Sequence, residues 1–235
     1  MSLFITFEGP EGSGKSTQAR LLREYLLERG YPVIAVREPG GTQISDMIRR
    51  VVLDLQHTEM DPTTEILLFS AARAQLVNEV IKPYLGHGGI VLCDRYADST
   101  YAYQGYGLSR DLEELHTITR IATGGLEPDV TIYLDLRAED GLERKLRARQ
   151  TKAQSIGSSL LPNVRPVAPV EWNRLDAREL AFHQRVEAGY HALISQSPAR
   201  WKIFDAMLPI DALARQISDA IEPLLEHVAL LEPEA

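Results

Sequence analysis

The chain has 235 residues, 44% hydrophobic and 25% charged, a balance that suits one globular α/β domain with or without a lid. Its formal net charge of −8 argues against broad binding to nucleic acid, which needs a basic surface, but allows small anions held by local arginines. Cys93 is the only cysteine, so it is expected as a core thiol of a reducing, cytoplasmic protein, and no apolar stretch nears the eighteen or so residues of a membrane span.

The chain opens in a strand-like pattern, and the expectation is that no cleavable leader precedes it. Leu3 to Phe7 reads as a strand ending in a glycine-rich turn. Lys15 to Arg29 reads as a helix, with Ala19, Leu22 and Leu26 on one face and Gly30 and Pro32 as the stop. Val33 to Val36 is a buried strand and Thr42 to Leu53 a helix. Asp61 and Thr63 are candidate caps for a long helix to about Leu85. Ile90 to Cys93 is another buried strand, and Asp111 to Ala122 a helix with acidic residues in its first turn. Val130 to Leu134, Ala138 to Arg149, Ala177 to Ser195 and Trp201 to Phe204 continue as strand, helix, helix and strand. A final amphipathic helix is expected from Pro209 to about Leu230.

Strands alternating with helices predict a single domain, residues 1–235, with a five-stranded parallel sheet and helices on both faces. Gln150 to Trp172 breaks the rhythm: it is rich in Ser, Pro, Gly and Gln, and a loop of that length is expected to be a mobile lid, about 147–176 with its flanks.

Gly9-Pro10-Glu11-Gly12-Ser13-Gly14-Lys15-Ser16 fits the phosphate-cradle pattern G-x-x-x-x-G-K-[ST], placed between a strand and a helix as that pattern requires. The glycines let successive N–H groups curl toward phosphate oxygens, and the helix adds its positive N-terminal end. Lys15 then reaches the β and γ phosphates of ATP, and the Ser16 hydroxyl is a ligand for Mg²⁺. Asp94 follows a buried strand, where a carboxylate at the ligand-binding edge of the sheet becomes a second Mg²⁺ station. The fold class is therefore expected to be the P-loop NTPase type, three-layered and carrying a lid.

The acceptor site is less explicit. Phe69 and Arg73 are four apart on the long helix and share a face, as a base-stacking pair or as a core Phe and a solvated Arg. Arg95 follows Asp94 and has the fork to clamp a phosphate, while Arg37 and Arg49 also lie near strand ends.

Five segments taken together resemble the bacterial thymidylate kinase family: Phe7 to Thr17, Arg37-Glu38-Pro39-Gly40-Gly41-Thr42, Thr64 to Gln75, Asp94 to Gly105, and Asn173-Arg174-Leu175-Asp176. They come in the family's order and span nearly the whole chain outside the lid interior. The resemblance implies phosphoryl transfer from ATP-Mg²⁺ to dTMP on the way to dTTP, in a homodimer. It implies an ATP site at Gly9 to Thr17, with Lys15, Arg95 and Arg174 as the catalytic cations. Phe69 would stack on thymine, Arg73 bond a thymine carbonyl, and Thr100 and Gln104 read the remaining edge. Tyr103 would pack near the deoxyribose, Glu11 lie near the 3′-hydroxyl or the metal, Arg49 and Arg95 hold the dTMP phosphate, and Glu38 line the acceptor site. Gly12 stands where some members carry arginine, which places this chain with those whose lid supplies it; Arg147, Arg149 and above all Arg174 flank the lid. Arg144 and the turn from Asp205 to Pro209 are the candidates for the adenine.

Two positions depart from the family pattern. Ser45 replaces a glycine, so its backbone must avoid positive φ, and Arg165 lies in a lid interior with no counterpart to assign it a role. In-line transfer needs no strong base, because the attacking phosphate oxygen is already ionised; positioning and electrostatics carry the rate. The alternatives are a related nucleoside monophosphate or deoxynucleoside kinase, and a non-catalytic ATP sensor, which would need no acceptor pocket.

Overall fold

The computed structural model describes residues 2–156 and 172–230. Five parallel strands, β1 (Leu3–Glu8), β2 (Val33–Arg37), β3 (Ile90–Asp94), β4 (Val130–Asp135) and β5 (Trp201–Asp205), form one sheet in the order β2-β3-β1-β4-β5. β1 leads one way, through helix α1 (Lys15–Glu28), to β2; β3 leads the other way to β4, and the two are neighbours with Phe7 opposite Asp94. The crevice where the chain reverses direction is thus flanked by the glycine-rich turn and by Asp94.

Strand alternation sends Leu3, Ile5 and Phe7 to one face, where they pack with Leu22 and Leu26 of α1 and with Leu213 and Ile217 of the last helix. Phe4, Val91, Cys93 and Tyr133 fill the other face. Leu26 is wholly buried, and truncating it to Ala would cost about 3 kcal/mol. β1 also carries Thr6 and Glu8, polar yet fully buried; Thr6 bonds Thr131 across the sheet at 2.9 Å.

Helix α2 (Gln43–Leu53) starts from Thr42, whose hydroxyl accepts the Ser45 N–H. Ser45 therefore sits in helical backbone, and its hydroxyl donates to Ala72 O at 2.7 Å, so serine meets the conformational demand there. The expected long helix is α3 (Pro62–Leu76), capped by Asp61, a π-helical turn over Val77–Ile81, and α4 (Lys82–Gly86). The wide turn precedes Pro83, which has no N–H to return to Glu79.

Four boundaries differ from the sequence expectation. Ala97 to Gly107, read only as a signature segment, is helical: α5 (Ala97–Thr100) and a π-helical run Tyr101–Gly107. After α6 (Leu112–Thr123), helix α7 (Ala138–Ile156) runs past Arg149 into the stretch expected to be irregular. Helix α8 (Leu180–Gln196) begins later than Ala177. The last helix, α9 (Ile210–Ile221), stops well before Leu230, just ahead of Pro223. Most of the lid segment, with Arg165, lies outside the described residues. Cys93 is buried as expected, and its thiol donates to Arg95 O at 3.0 Å. Among the described residues no helix is long and apolar enough to cross a membrane.

Candidate active site

The turn after β1 wraps round Lys15, whose Nζ donates to Gly9 O (3.0 Å), Pro10 O (2.7 Å) and Ser13 Oγ (3.1 Å). Burial, and then the charge of Arg95, lower the Lys15 pKa to about 8. Its neighbour Ser16 donates its hydroxyl to Asp94 Oδ2, so the two proposed metal stations meet across the β1–β3 crevice.

Gly12 has φ +73°, and a Cβ there would lie 2.2 Å from Gly141 O. A Cβ on Gly141 would in turn lie 2.0 Å from Glu11 O. The turn and α7 therefore meet glycine to glycine, which leaves no space for an arginine side chain at position 12.

Glu11 is the hub between cradle and acceptor side. Oε1 accepts from Arg95 Nη2 (2.7 Å) and the Tyr103 hydroxyl (3.0 Å), and Oε2 accepts from Lys145 Nζ (3.0 Å). Burial pulls the Glu11 carboxyl upward, but Arg95, Lys145 and Lys15 outweigh it and hold its pKa well below the usual range. Lys145 also reaches both oxygens of Asp176 at 2.6 Å, tying α7 to the residues just after the lid. Burial, then the charge of Glu11, raise Asp176 to about 6.

Arg95 has φ +71°, a left-handed backbone unusual for an arginine. The surroundings fix it: Arg95 N–H donates to Phe7 O, and the Tyr96 N–H that follows donates to Glu8 Oε1 at 2.7 Å. Glu8 is fully buried and also accepts from Ser99 (2.6 Å) and Tyr190 (2.8 Å); burial, then Asp98, raise its pKa. Arg95 Nη1 further donates to Gly9 O, Ser99 and Tyr190.

On the base side, Arg73 is buried rather than solvated. Nε donates to Glu38 Oε2 at 2.7 Å, Nη2 donates to Tyr96 O at 3.0 Å, and Nη1 is buried with no hydrogen-bond partner among the described residues. Burial lifts Glu38 to about 7 against the pull of Arg73. Phe69 is half-buried on the same helix, and Thr100 and Gln104 are buried on the segment after β3. Arg49 donates to Pro39 O at 2.7 Å, beside the second signature.

Arg174 is placed differently from its expected role. Its guanidinium donates to Val52 O and, at 2.5 Å, to Glu65 Oε2, on the base side of the site. Among the described residues, the lid-flank cation that meets Glu11 of the cradle is Lys145. Arg147 pairs with Glu143 at 2.5 Å on the surface, and Arg149 lies over the Trp172 ring. Arg144 donates to Ala206 O (2.9 Å) and Met207 Sδ (3.0 Å), which joins the two parts of the expected adenine site. Glu8, Glu65 and Asp176 have no sequence signal but a charge inside a quoted segment, and Lys145 has none but its place beside Arg144 and Arg147.

The family follows from comparison with known proteins. Residues 7–217 match the family model described as thymidylate kinase. The chain belongs to the thymidylate kinase family. The thymidylate kinase of Roseiflexus castenholzii is 68% identical over 99% of this chain and 98% of its own length. That of Herpetosiphon aurantiacus is 60% identical over 98% of this chain and 100% of its own. The crystal structure of thymidylate kinase from Ehrlichia chaffeensis superposes with a TM-score of 0.70 at 28% identity, covering 94% of this chain and 98% of that one. This member of the thymidylate kinase family is accordingly a phosphotransferase with the P-loop fold.

Proposed function

We propose that the protein transfers the terminal phosphoryl group of ATP to dTMP, giving dTDP on the route to dTTP. The observation that carries the choice of acceptor is the unspent donor of the base pocket. Arg73 is buried with Nη1 unpartnered among the described residues, which calls for a carbonyl oxygen such as thymine O4, while an amino group there would set donor against donor. Phe69 stacks on the ring from the same helix face. Thr100 and Gln104 read the remaining edge, and Tyr103 stands by the sugar.

Mg²⁺ is the proposed companion of ATP. The Ser16 hydroxyl and the Asp94 carboxylate already touch, and a hydroxyl, one carboxylate, phosphate oxygens and water make a set that suits this hard ion. When bound, it would neutralise charge on the phosphates. Lys15 and Arg95 add positive charge at the reacting centre, with Arg95 and Arg49 holding the dTMP phosphate. Glu11 keeps Arg95 aimed from the cradle side. The adenine lies against Arg144 and the turn from Asp205 to Pro209. Arg174 remains the proposed lid arginine; to reach the transferring group it must leave Glu65, which would keep Arg178 as partner.

A homodimer and a cytoplasmic location go with this proposal. Ile44, Met47 and Val51 lie exposed at i, i+3 and i+7 of α2, and Leu67 of α3 and Ile121 of α6 are exposed on helices that pack in sequence beside it; a second copy would cover them.

The test is ADP release from ATP-Mg²⁺ with dTMP, dUMP, UMP, dCMP, AMP or thymidine as acceptor. Strong stimulation by dTMP, weaker by dUMP and near background by the others is expected. Preference for another monophosphate would move the pocket assignment, and no stimulation by any acceptor would overturn the kinase proposal.

A further inference from the structure

Glu65, Phe69 and Arg73 stand at i, i+4 and i+8 of α3, so Glu65 belongs to the helix face that carries the two proposed base contacts. Its side chain is wholly buried. Oε2 accepts from two guanidinium groups, Arg174 Nη2 at 2.5 Å and Arg178 Nη2 at 2.6 Å. Oε1 accepts from Gln104 Nε2 at 2.8 Å.

An amide side chain has two nearly isosteric orientations with opposite hydrogen-bonding sense, and a neighbour of fixed polarity selects between them. A carboxylate only accepts, so Glu65 draws the Gln104 nitrogen toward itself. That leaves Oε1 as the atom with which Gln104 addresses a ligand. An acceptor suits the N3–H of thymine; cytosine carries a lone pair at N3 and needs a donor. The reverse orientation would suit cytosine.

We propose that Glu65 is a positioning residue for base recognition: anchored by Arg178, and by Arg174 until that arginine turns to the transferring group, it fixes the Gln104 amide so that the pocket accepts a base with a protonated N3. Arg178 is part of the device, because it keeps Oε2 engaged when Arg174 departs and so leaves Oε1 facing Gln104. The proposal rests on the assignment of Gln104 to the base edge.

Glu65→Gln tests it with a change of sign. The two guanidinium groups demand an oxygen at the Oε2 place, so the new NH₂ takes the Oε1 place and turns the Gln104 amide round. The expected result is a KM for dTMP raised about 10-fold and a kcat/KM for dCMP that rises above the parent's. The KM for ATP and the thermal transition serve as controls, since general damage to the fold cannot raise dCMP turnover. Should E65Q fail to fold, Glu65→Asp keeps the charge under the arginines but draws it away from Gln104; it is expected to raise the dTMP KM and narrow the dTMP/dCMP ratio. Gln104→Leu separates the two claims. If Q104L leaves the dTMP KM and the ratio unchanged, Gln104 does not read the base and the proposal falls with that assignment. If Q104L raises the KM while E65Q or E65D keeps the parent's ratio, the base assignment stands and the role of Glu65 is overturned.

Discussion

Arg73 Nε stands 2.7 Å from Glu38 Oε2, and the two side chains are only 2% and 5% exposed. A residue of the loop after β2 thereby aims a residue of α3, so the pocket is held by a contact between segments 35 positions apart. Arg73→Lys keeps the charge but loses the planar fork that serves Glu38 and Tyr96 O and that is proposed to serve the base as well. Steady-state kinetics should show a dTMP KM raised about 10-fold or more with a smaller change in kcat.

The same pair predicts a pH effect on stability. Burial raises Glu38 from its ordinary 4.5 to about 7, so between those values the folded chain holds a proton that the unfolded chain has released. This contribution to stability is complete below about pH 4.5 and is lost as pH rises through about 7. Asp176, raised from 3.8 to about 6, acts in the same direction. Glu11 acts oppositely at acid pH, because its folded pKa is depressed. Denaturation of the ligand-free protein should therefore show Glu38→Gln gaining stability relative to the parent between pH 5 and pH 7, with the gap widening as pH rises.

In its proposed role at the phosphates Lys15 must be charged, and its pKa in the free protein is lowered to about 8 by burial and Arg95. The kcat/KM for ATP should fall as pH rises above about 8, with a slope of one proton. Bound phosphates favour the charged form, so kcat at saturating ATP should hold to higher pH. Coincident profiles for the two parameters would count against Lys15 as the titrating group.

Asp94 and Ser16 meet at the strand edge proposed for Mg²⁺. Asp94→Asn should lower turnover by about 100-fold or more and raise the Mg²⁺ concentration needed for half-maximal rate. Nucleotide binding measured without metal should stay within a few-fold of the parent.

Lys145 separates two carboxylates, those of Glu11 and Asp176. Lys145→Met leaves them facing each other with little solvent, a loss of about 3 kcal/mol in stability at neutral pH. The loss should shrink toward acid pH, because Asp176, already raised to about 6 beside Lys145, rises further without that charge and takes up a proton. Denaturation midpoints at pH 5 and pH 8 measure the difference.

Local patterns made much of this protein legible. The run Gly9 to Ser16 announces its own backbone, because few sequences other than a glycine-rich turn between strand and helix can curl N–H groups round a phosphate. The periods of the strands and of α1 are set by burial on one face or both, so alternation and spacing revealed them. The helix from Ala97 to Gly107 was hidden because Tyr101, Tyr103 and Gly105 are poor helix formers, and burial against α8 overrides that preference. The end of α9 is not legible in the sequence because the apolar period continues past Pro223 while the backbone hydrogen bonds cannot.

What the sequence determined by itself is the P-loop, the order of the five strands and the family, since these rest on contacts between residues near each other in the chain or on runs of fixed composition. Only the tertiary structure decided which partner each charge meets: Glu8 at the Tyr96 N–H, Lys145 at Glu11, and Arg174 at Glu65. Those partners lie 88, 134 and 109 positions apart. A lone charged residue looks the same in sequence whether it is solvated or buried in a pair. The reason is energetic: a buried charge is tolerated only where the fold brings its partner within hydrogen-bond reach, and that distance exists only once the sheet is assembled.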